Sequence, residues 1–311
     1  MPKYHIDFMG LRKVFFSLSI VLVLISIGSL AVRGLEFGVE FRGGSVITIT
    51  DGQNKSIDEI RKAFNDAKFQ DVTVQTSRTD KYEGYLVKTT TANADTANKY
   101  AATAADELGM KLNNFSISSV GAGWGKKLTS SALTAFIISI IAILIYISIR
   151  FEYKMSIMAI VALIHDMLIT LGVYSLIGAE VTTSTIAALL TILGYSLYDT
   201  VVVFGRIKEN TTNLSKMSFM EMANLSINEV FARSINTTIT SLLPVVVMLV
   251  FNVDALNGFA IALTIGLAVG AYSSIGLAAP LYTMWKETEP KYASLRKKYG
   301  KDGKKKAEPA A

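Results

Sequence analysis

The sequence predicts a polytopic α-helical membrane protein with six transmembrane helices and one α+β domain between the first and the second of them. Of its 311 residues, 51% are hydrophobic and only 18% are charged, whereas about 25% are charged in a typical soluble protein. Six apolar runs approach the roughly 20 residues that a helix needs to cross the ~30 Å hydrocarbon core of a bilayer. This composition excludes a disordered chain and argues against a water-soluble enzyme.

The apolar runs differ in strength. The fifth is the weakest, because its strongly apolar part, Leu242–Phe251, is short and needs the polar run Asn236–Ser241 to reach membrane length. The first follows Arg12 and Lys13 and therefore resembles a signal peptide, but it is long and lacks a small-x-small cleavage site, so we interpret it as a retained span. The six predicted spans are about Val14–Val32, Ala132–Ile149, Ser156–Ile177, Thr183–Phe204, Ile235–Phe251 and Phe259–Tyr282.

Lysine and arginine set the orientation, because short cytoplasmic loops carry an excess of them. The loops Gly178–Thr182 and Asn252–Asn257 contain neither residue, whereas the alternate loops and both chain ends contain several. We therefore predict that both termini lie in the cytoplasm, with the protein in a bacterial cell membrane. The predicted segments are residues 1–33 (cytoplasmic N-terminus and first span), 34–127 (extracytoplasmic domain), 128–285 (spans two to six) and 286–311 (basic cytoplasmic tail).

The tail carries nine cations against four acids. We expect a solvated, disordered end that lies near anionic lipid headgroups, where each cation contributes about 1 kcal/mol close to the surface. Contact with ribosomal RNA or with a cytosolic protein is the alternative, and no specific nucleic-acid partner is predicted.

The external segment alternates between strand and helix periodicity. Ser56 and Glu59 form a capping-box pattern at the start of its first helix. The element order β-α-β-β-α-β is that of the ferredoxin-like split βαβ motif. The predicted elements are strands at Ser45–Thr50, Asp71–Arg78, Tyr85–Thr90 and Lys111–Ser119, and helices from Ser56 to about Lys68 and over Asp95–Leu108.

Several kinds of chemistry are excluded by residues that the chain lacks. It contains no cysteine and only two histidines, His5 and His165, which excludes disulfides, thiolate nucleophiles and cysteine-ligated metals. A P-loop, a kinase motif and a hydrolase motif are also missing from the sequence. We therefore predict that the protein is not an enzyme, has no cofactor or bound metal, and draws any energy that it uses from an ion gradient.

One acid stands out within a predicted span. An ionised side chain at the bilayer centre costs at least ~2.5–3.5 kcal/mol, so it needs a partner, water or a function. Asp199 lies in the fourth span, with Ser196 and Arg206 on the same helix face. The fifth span enters from the same side through Arg233, so we predict an encounter between Asp199 and Arg233. Asp199 then either binds and releases protons or forms a static ion pair that fixes helix packing.

His165 and Asp166 lie near the middle of the third span. Consecutive residues point ~100° apart on a helix, so we do not expect these two side chains to share one partner. A hydroxyl or carbonyl of a neighbouring helix is the expected partner of His165. Both residues, with Ser196, remain candidates for a proton pathway.

Glycine and proline residues indicate positions of close helix packing or unusual backbone conformation. Gly266 and Gly270 form a GxxxG pattern that allows close helix approach, and Pro244 and Pro280 are expected to kink the fifth and sixth spans. Gly43-Gly44 predicts a turn in which the backbone leaves the first span and passes close to the small domain.

Seven segments, taken together, match one known family. Phe37–Gly44 (FGVEFRGG), which includes Gly38, Glu40, Gly43 and Gly44, is similar to a G-x-D-F-x-G-G motif. The other segments are Val120–Leu128, Tyr146–Glu152, Ala162–Asp166, Leu190–Asn210, Arg233–Thr240 and Gly270–Pro280. The chain thus resembles the SecF branch of the SecD/SecF family, in the resistance-nodulation-division superfamily.

The resemblance implies a role in protein export. SecF-like chains pair with SecD beside the SecYEG channel, with SecA, YajC and YidC as further candidate partners, and use the proton motive force to help move unfolded polypeptide across the membrane. The family's functional aspartate maps to Asp199 and its functional arginine to Arg233. Tyr198 and Gly205 depart from the family pattern beside Asp199, which puts the proton affinity of that site in doubt. The alternatives are a structural subunit that carries no protons and a small-molecule or lipid exporter of the same superfamily.

Overall fold

The structure is a computed structural model and describes residues 5–50, 55–79, 82–251 and 256–300. The chain divides into two compact units. The first unit contains the chain up to Leu35, Ile138–Ala179 and the residues from Ser184 onward. The second contains Glu36–Ile137 and Glu180–Thr183.

Within the described residues, six helices are long and apolar enough to cross a membrane. Their positions agree with the six predicted spans, although most helices extend further than the apolar runs. The helical elements of the spans are α1 (Arg12–Val32), α5 (Ala122–Arg150), α6 (Tyr153–Ile177), α7 (Thr183–Thr212), α8 (Phe219–Val250), and α9 (Asn257–Ser273) followed by a π-helical segment (Ser274–Ala278) and α10 (Ala279–Lys286).

The fifth span is much longer than its apolar run. Helix α8 begins at Phe219 because Ser218 caps it: the Ser218 hydroxyl accepts from the Glu221 amide, and the Glu221 carboxylate accepts from the Ser218 amide. This is a capping box that satisfies amides otherwise left without partners. The helix continues through Pro244 to Val250, so the polar run Asn236–Ser241 is helical, as predicted.

The sixth span changes its helical type before its proline. Pro280 has no amide hydrogen to donate to the carbonyl four residues earlier, and its ring crowds that carbonyl. The wider π-helical segment Ser274–Ala278 lies at this point. At this point the structure shows a local widening of the helix, and the predicted kink at Pro280 stays a prediction.

Glycines let the helices of the first unit approach closely. A Cβ atom on Gly266 would overlap the Ile192 side chain, and one on Gly270 would lie 3.1 Å from Ser196 Cβ. The GxxxG pattern therefore packs against α7, as its spacing predicted. Gly172 in α6 has the same role toward α1, since its Cβ would lie 2.5 Å from Ser26 Cα.

The second unit contains a four-stranded antiparallel sheet. Its strands are β2 (Gly44–Ile49), β3 (Thr73–Thr79), β4 (Tyr82–Thr89) and β5 (Phe115–Val120), in the order β3-β4-β2-β5. Helices α3 (Ile57–Asp66) and α4 (Ala94–Leu108) complete the predicted order β-α-β-β-α-β. Residues from both helices and the sheet, including Ile47, Phe64, Val87, Ala101 and Phe115, form one buried core.

Local signals set the ends of these elements. Ser56 and Glu59 form the predicted capping box at the start of α3, with the Glu59 carboxylate 2.7 Å from the Ser56 amide. The hydrogen bond from that amide lowers the pKa of Glu59. Helix α4 ends at Gly109, which adopts a left-handed conformation with φ of 67°.

The Gly43-Gly44 pair has the predicted geometry. Gly43 has φ of 81° and Gly44 has φ of 146°, both in the region that favours glycine. A Cβ atom on Gly44 would overlap the carbonyl oxygen of Thr89 in the adjacent strand. This turn follows a one-turn helix, α2 (Val39–Arg42), and delivers the chain into β2.

A second, two-stranded sheet was not predicted. Strand β1 (Glu36–Phe37) pairs in parallel with β6 (Glu180–Val181), and β6 lies in what the sequence indicated was a plain loop, Gly178–Thr182. Glu180 also forms an ion pair with Lys88. Pairing between residues so far apart in the chain leaves no local sequence signal.

The first part of the tail is structured, which corrects the prediction of a disordered end. Helix α11 (Pro290–Tyr299) follows α10, and Tyr292 is buried against Phe219 with ring centroids 4.8 Å apart. Glu289 lies 2.9 Å from Lys154 and 3.0 Å from Lys286. Burial opposes ionisation of Glu289, but hydrogen bonds from these two lysines outweigh it and lower its pKa. The lysines beyond Gly300 lie outside the described residues.

Candidate functional site

Asp199 lies in the middle of α7 and is almost entirely buried, with 7% of its surface exposed. Its Oδ1 atom has no hydrogen-bond partner among the described residues. It lines a cavity of about 10 Å³, which is near the lower limit for one water molecule. The walls come from three helices: Tyr195, Ser196, Tyr198 and Asp199 of α7, Thr237, Thr238 and Ser241 of α8, and Leu267, Gly270 and Ala271 of α9.

The predicted encounter between Asp199 and Arg233 is not present in this arrangement. Arg233 Nη2 instead donates to the Tyr198 hydroxyl at 2.9 Å, and none of the ion pairs of the described chain includes Asp199. Arg206, which was placed on the Asp199 face, binds Glu229 and Glu209, each at 2.6 Å. Asp199 is thus a buried carboxyl group without a cationic partner.

Asp166 is the centre of a buried polar cluster that joins three spans. Its Oδ2 atom accepts hydrogen bonds from Ser196 of α7 at 2.6 Å and from Ser273 of α9 at 2.8 Å. Its Oδ1 atom lies 2.9 Å from His165 Nδ1, and the side chain is completely buried. Hydrogen bonds of this kind satisfy a carboxylate that burial would otherwise make costly.

His165 contacts its own neighbour Asp166, which corrects the expectation that its partner is a hydroxyl or carbonyl of a neighbouring helix. Both side chains bend toward one another, so Nδ1 of His165 meets the Asp166 carboxylate directly. The other ring nitrogen, Nε2, is buried and has no hydrogen-bond partner among the described residues. The His165 ring also lies beside Tyr272, with centroids 6.2 Å apart.

Sequence reasoning missed several residues of this region. Tyr198 was noted only as a departure from a motif, yet it is the partner of Arg233. Ser273 and Ser274 were not singled out, although Ser273 binds Asp166 and the Ser274 hydroxyl lies 2.9 Å from that of Thr200. The available signal was a pair of hydroxyl residues in the middle of an otherwise apolar span.

The motif residues Gly38, Glu40, Gly43 and Gly44 belong to the second unit and form a separate structural feature. The Gly38 amide donates to Val181 at 3.0 Å, and a Cβ atom on Gly38 would overlap Glu40 Oε2. This oxygen is buried without a hydrogen-bond partner in the described structure. These contacts shape a backbone turn rather than a reactive site.

The chemistry available to the membrane cluster is proton exchange and hydrogen-bond rearrangement. Among the described residues, no group of three or more acidic or histidine side chains could hold a metal ion. Asp199, Asp166 and His165 are titratable groups within transmembrane helices, and such groups are expensive unless they have a function or partners. Asp166 has partners, whereas one oxygen of Asp199 has none.

Comparison with known proteins gives the family. The profile described as "Protein export membrane protein SecD/SecF, C-terminal" matches residues 100–288, more than half of the chain. The chain belongs to the SecD/SecF family. The family's "SecD/SecF GG Motif" profile matches residues 28–50, which contain Gly43 and Gly44.

SecD/SecF relatives cover nearly the whole sequence. Protein translocase subunit SecF of Streptomyces coelicolor is 40% identical over 94% of this chain and 80% of the relative. The same subunit of Petrotoga mobilis is 37% identical over 89% of this chain and 95% of the relative. With six candidate spans and these relatives, the chain is a multi-pass membrane protein of the SecD/SecF family.

Solved SecD/SecF structures are similar to this fold. SecDF of Thermus thermophilus, described as a translocon-associated membrane protein, superposes with a TM-score of 0.81 and 31% identity over 92% of this chain. SecDF in a super-membrane-facing form gives a TM-score of 0.69 and 29% identity over 94% of this chain. The chain spans only 39% and 40% of the length of these two solved chains.

Proposed function

We propose that this chain is the SecF subunit of the Sec protein translocase, which works with SecD and uses the proton motive force to assist protein export. The observation that carries the proposal is Asp199, a buried carboxyl group with a free oxygen beside a water-sized cavity inside a transmembrane helix. The SecF names of the relatives and the description of SecDF as translocon-associated support the partner assignment. SecYEG is the proposed channel, and SecA, YajC and YidC are further proposed contacts.

In this proposal, Asp199 binds a proton at one stage of the transport cycle and releases it at another. Arg233 has a planar guanidinium that donates several hydrogen bonds, and its partner Tyr198 is adjacent to Asp199 in sequence. Breaking the Tyr198 contact would free Arg233 to approach Asp199 and favour the ionised carboxylate. Ser196, Asp166 and His165 then extend the proton pathway into the bundle.

The function is tested by Asp199→Asn, which keeps the shape and removes the titration. We expect this variant to assemble with SecD but to lose gradient-dependent secretion in cells whose own subunit has been deleted. Asp106→Asn, an exposed acid of α4, is the matched control and should secrete at the wild-type rate. Wild-type secretion by Asp199→Asn would contradict the proton role and favour the structural-subunit alternative.

Arg233 is tested separately. Arg233→Ala should fail to support secretion. Arg233 contacts Tyr198, the neighbour of Asp199, whereas Arg206, the other arginine placed near Asp199, binds Glu229 in the described chain. Arg233→Lys keeps the charge and loses the planar fork. Partial secretion by Arg233→Lys would indicate that charge is sufficient, and none would indicate that the fork geometry is required.

We also propose that both termini lie in the cytoplasm and that residues 34–127 form a ferredoxin-like domain outside. The loop charges and the strand order β3-β4-β2-β5 support this proposal. Because the natural chain lacks cysteine, Asn93→Cys should react with an impermeant thiol reagent added to intact cells, and Ser215→Cys should not. Labelling of Ser215→Cys but not of Asn93→Cys would indicate the opposite topology.

A further inference from the structure

Two consecutive serines of the sixth span hold the helix that carries Asp199. Ser273 donates to Asp166, which in turn accepts from Ser196, three residues before Asp199. The Ser274 hydroxyl lies 2.9 Å from that of Thr200, one residue after Asp199. Helix α7 is therefore attached to the sixth span on both sides of Asp199.

These attachments lie where the sixth span is least regular. Ser273 is the last residue of α9, and Ser274 is the first residue of the π-helical segment. Both serines are completely buried, and Ser274 also donates to the Gly270 carbonyl at 2.9 Å. π-helical turns are rare and frequently occur at functional sites. Because both serines lie where the helical type changes, a change of that type would move both hydroxyls together.

The same two helices form two of the three walls of the Asp199 cavity, and α8 forms the third. Leu267, Gly270 and Ala271 of α9 line it opposite Tyr195 and Ser196 of α7. A Cβ atom on Gly270 would lie 3.1 Å from Ser196 Cβ, so α9 and α7 are closely packed at this point. A small separation of α9 from α7 would enlarge a cavity that now has room for about one water molecule.

We propose that Ser273 and Ser274 are positioning residues, which clamp the sixth span to α7 and keep the Asp199 cavity narrow. Release of this two-serine clamp widens the cavity and admits more water to Asp199. The purpose of the clamp rests on the proposed proton role of Asp199, but its effect on the cavity does not.

The test measures access to the cavity directly. Ser241→Cys places a single thiol on the cavity wall of the otherwise cysteine-free chain. The rate of its reaction with a small water-soluble methanethiosulfonate is measured on the full chain, co-purified with SecD in nanodiscs. We expect Ser273→Ala and Thr200→Val each to raise this rate at least threefold, because each removes one attachment.

Matched variants separate the clamp from general damage. Thr200→Ser keeps the hydroxyl that faces Ser274 and should retain the parental rate. Thr264→Ala removes a hydroxyl of α9 that, within the described part of the chain, bonds only in its own helix, to Ala260 at 2.8 Å, and should also leave the rate unchanged. Thr200→Val has nearly the shape of threonine, so it tests the clamp even if Ser273→Ala fails to fold.

Unchanged or slower labelling in both Ser273→Ala and Thr200→Val, with assembly retained, would overturn the clamp. This outcome is distinct from failure of the proposed function. Secretion by Asp199→Asn decides whether Asp199 exchanges protons, whereas the labelling rate decides whether the two serines control access to it.

Discussion

Gly44 is the glycine whose replacement should harm the small domain most, because two costs coincide there. Its φ of 146° lies where a non-glycine residue costs about 1–3 kcal/mol. A Cβ atom would also overlap the Thr89 carbonyl oxygen and lie 3.2 Å from the Thr89 carbonyl carbon. Overpacking of this kind costs about 1–3 kcal/mol, and the reduced freedom of the unfolded chain returns about 0.4–1 kcal/mol. We therefore expect Gly44→Ala to destabilise the domain by about 1–5 kcal/mol.

Two other glycines of the same domain separate these costs. Gly109 has φ of 67° with no atom within 4 Å of its Cβ position, so Gly109→Ala tests the backbone conformation alone. The Cβ position of Gly84 overlaps the Ile49 carbonyl oxygen, so Gly84→Ala tests the backbone contact alone. We expect the order of destabilisation to be Gly44→Ala, then Gly84→Ala, then Gly109→Ala.

The assay is hydrogen exchange of the β2 and β4 amides in the full chain, which reports the local free energy of opening. Native domains have only about 5–15 kcal/mol of stability, so Gly44→Ala should remove a large part of the protection of these amides. Protection in Gly44→Ala equal to that in Gly109→Ala would show that contact with the Thr89 backbone is not the reason for glycine at this position.

Two further predictions concern helix ends. Ser56→Ala should destabilise α3 by about 1 kcal/mol, since it removes the capping hydroxyl, and equal exchange of the α3 amides in both proteins would refute this. The pKa of Glu289 in the folded state is below its ordinary value of 4.5. The contribution of Glu289 to the stability of the folded state is therefore fully present above pH 4.5, and it is lost as the pH falls through the lower folded-state pKa. Fluorescence of Trp285, in a Trp124→Phe background, should therefore change at acid pH as α11 loosens, and Glu289→Gln should abolish this step.

The sequence was informative where the determining interaction is local. Apolar length located all six spans, and the serine and glutamate at the start of α3 located that helix. The same signal is present at Ser218 and Glu221 and marks the start of α8, whereas the apolar run of that span begins only at Ile235. The order of strands and helices along the small domain followed from the alternation of periods.

The polar interior of the bundle could not be predicted in the same way. Its geometry depends on which helices are neighbours and how they are rotated, which periodicity alone leaves open. Asp199 was correctly placed within a span, but its expected partner Arg233 reaches Tyr198 instead. The contact between His165 and Asp166 depends on side-chain rotation that overcomes the angle between consecutive residues. Pairing of Glu36 with Glu180 is set by the fold and has no local cause.

The π-helical segment fixes the rotational phase of the end of the sixth span. Each residue of an α-helix turns the chain by about 100°, and a π-helical turn accommodates additional residues between hydrogen-bonded groups. Everything after Ala278 is therefore rotated relative to a continuous α-helix that begins at Asn257. In this phase Lys286 reaches Glu152 at 2.6 Å. An uninterrupted α-helix through the same residues would turn Lys286 away by about 100°. Loss of one residue from Ser274–Ala278 would instead let the helix become regular and keep Lys286 on the side of Glu152, while the glycine face of α9 would keep its direction.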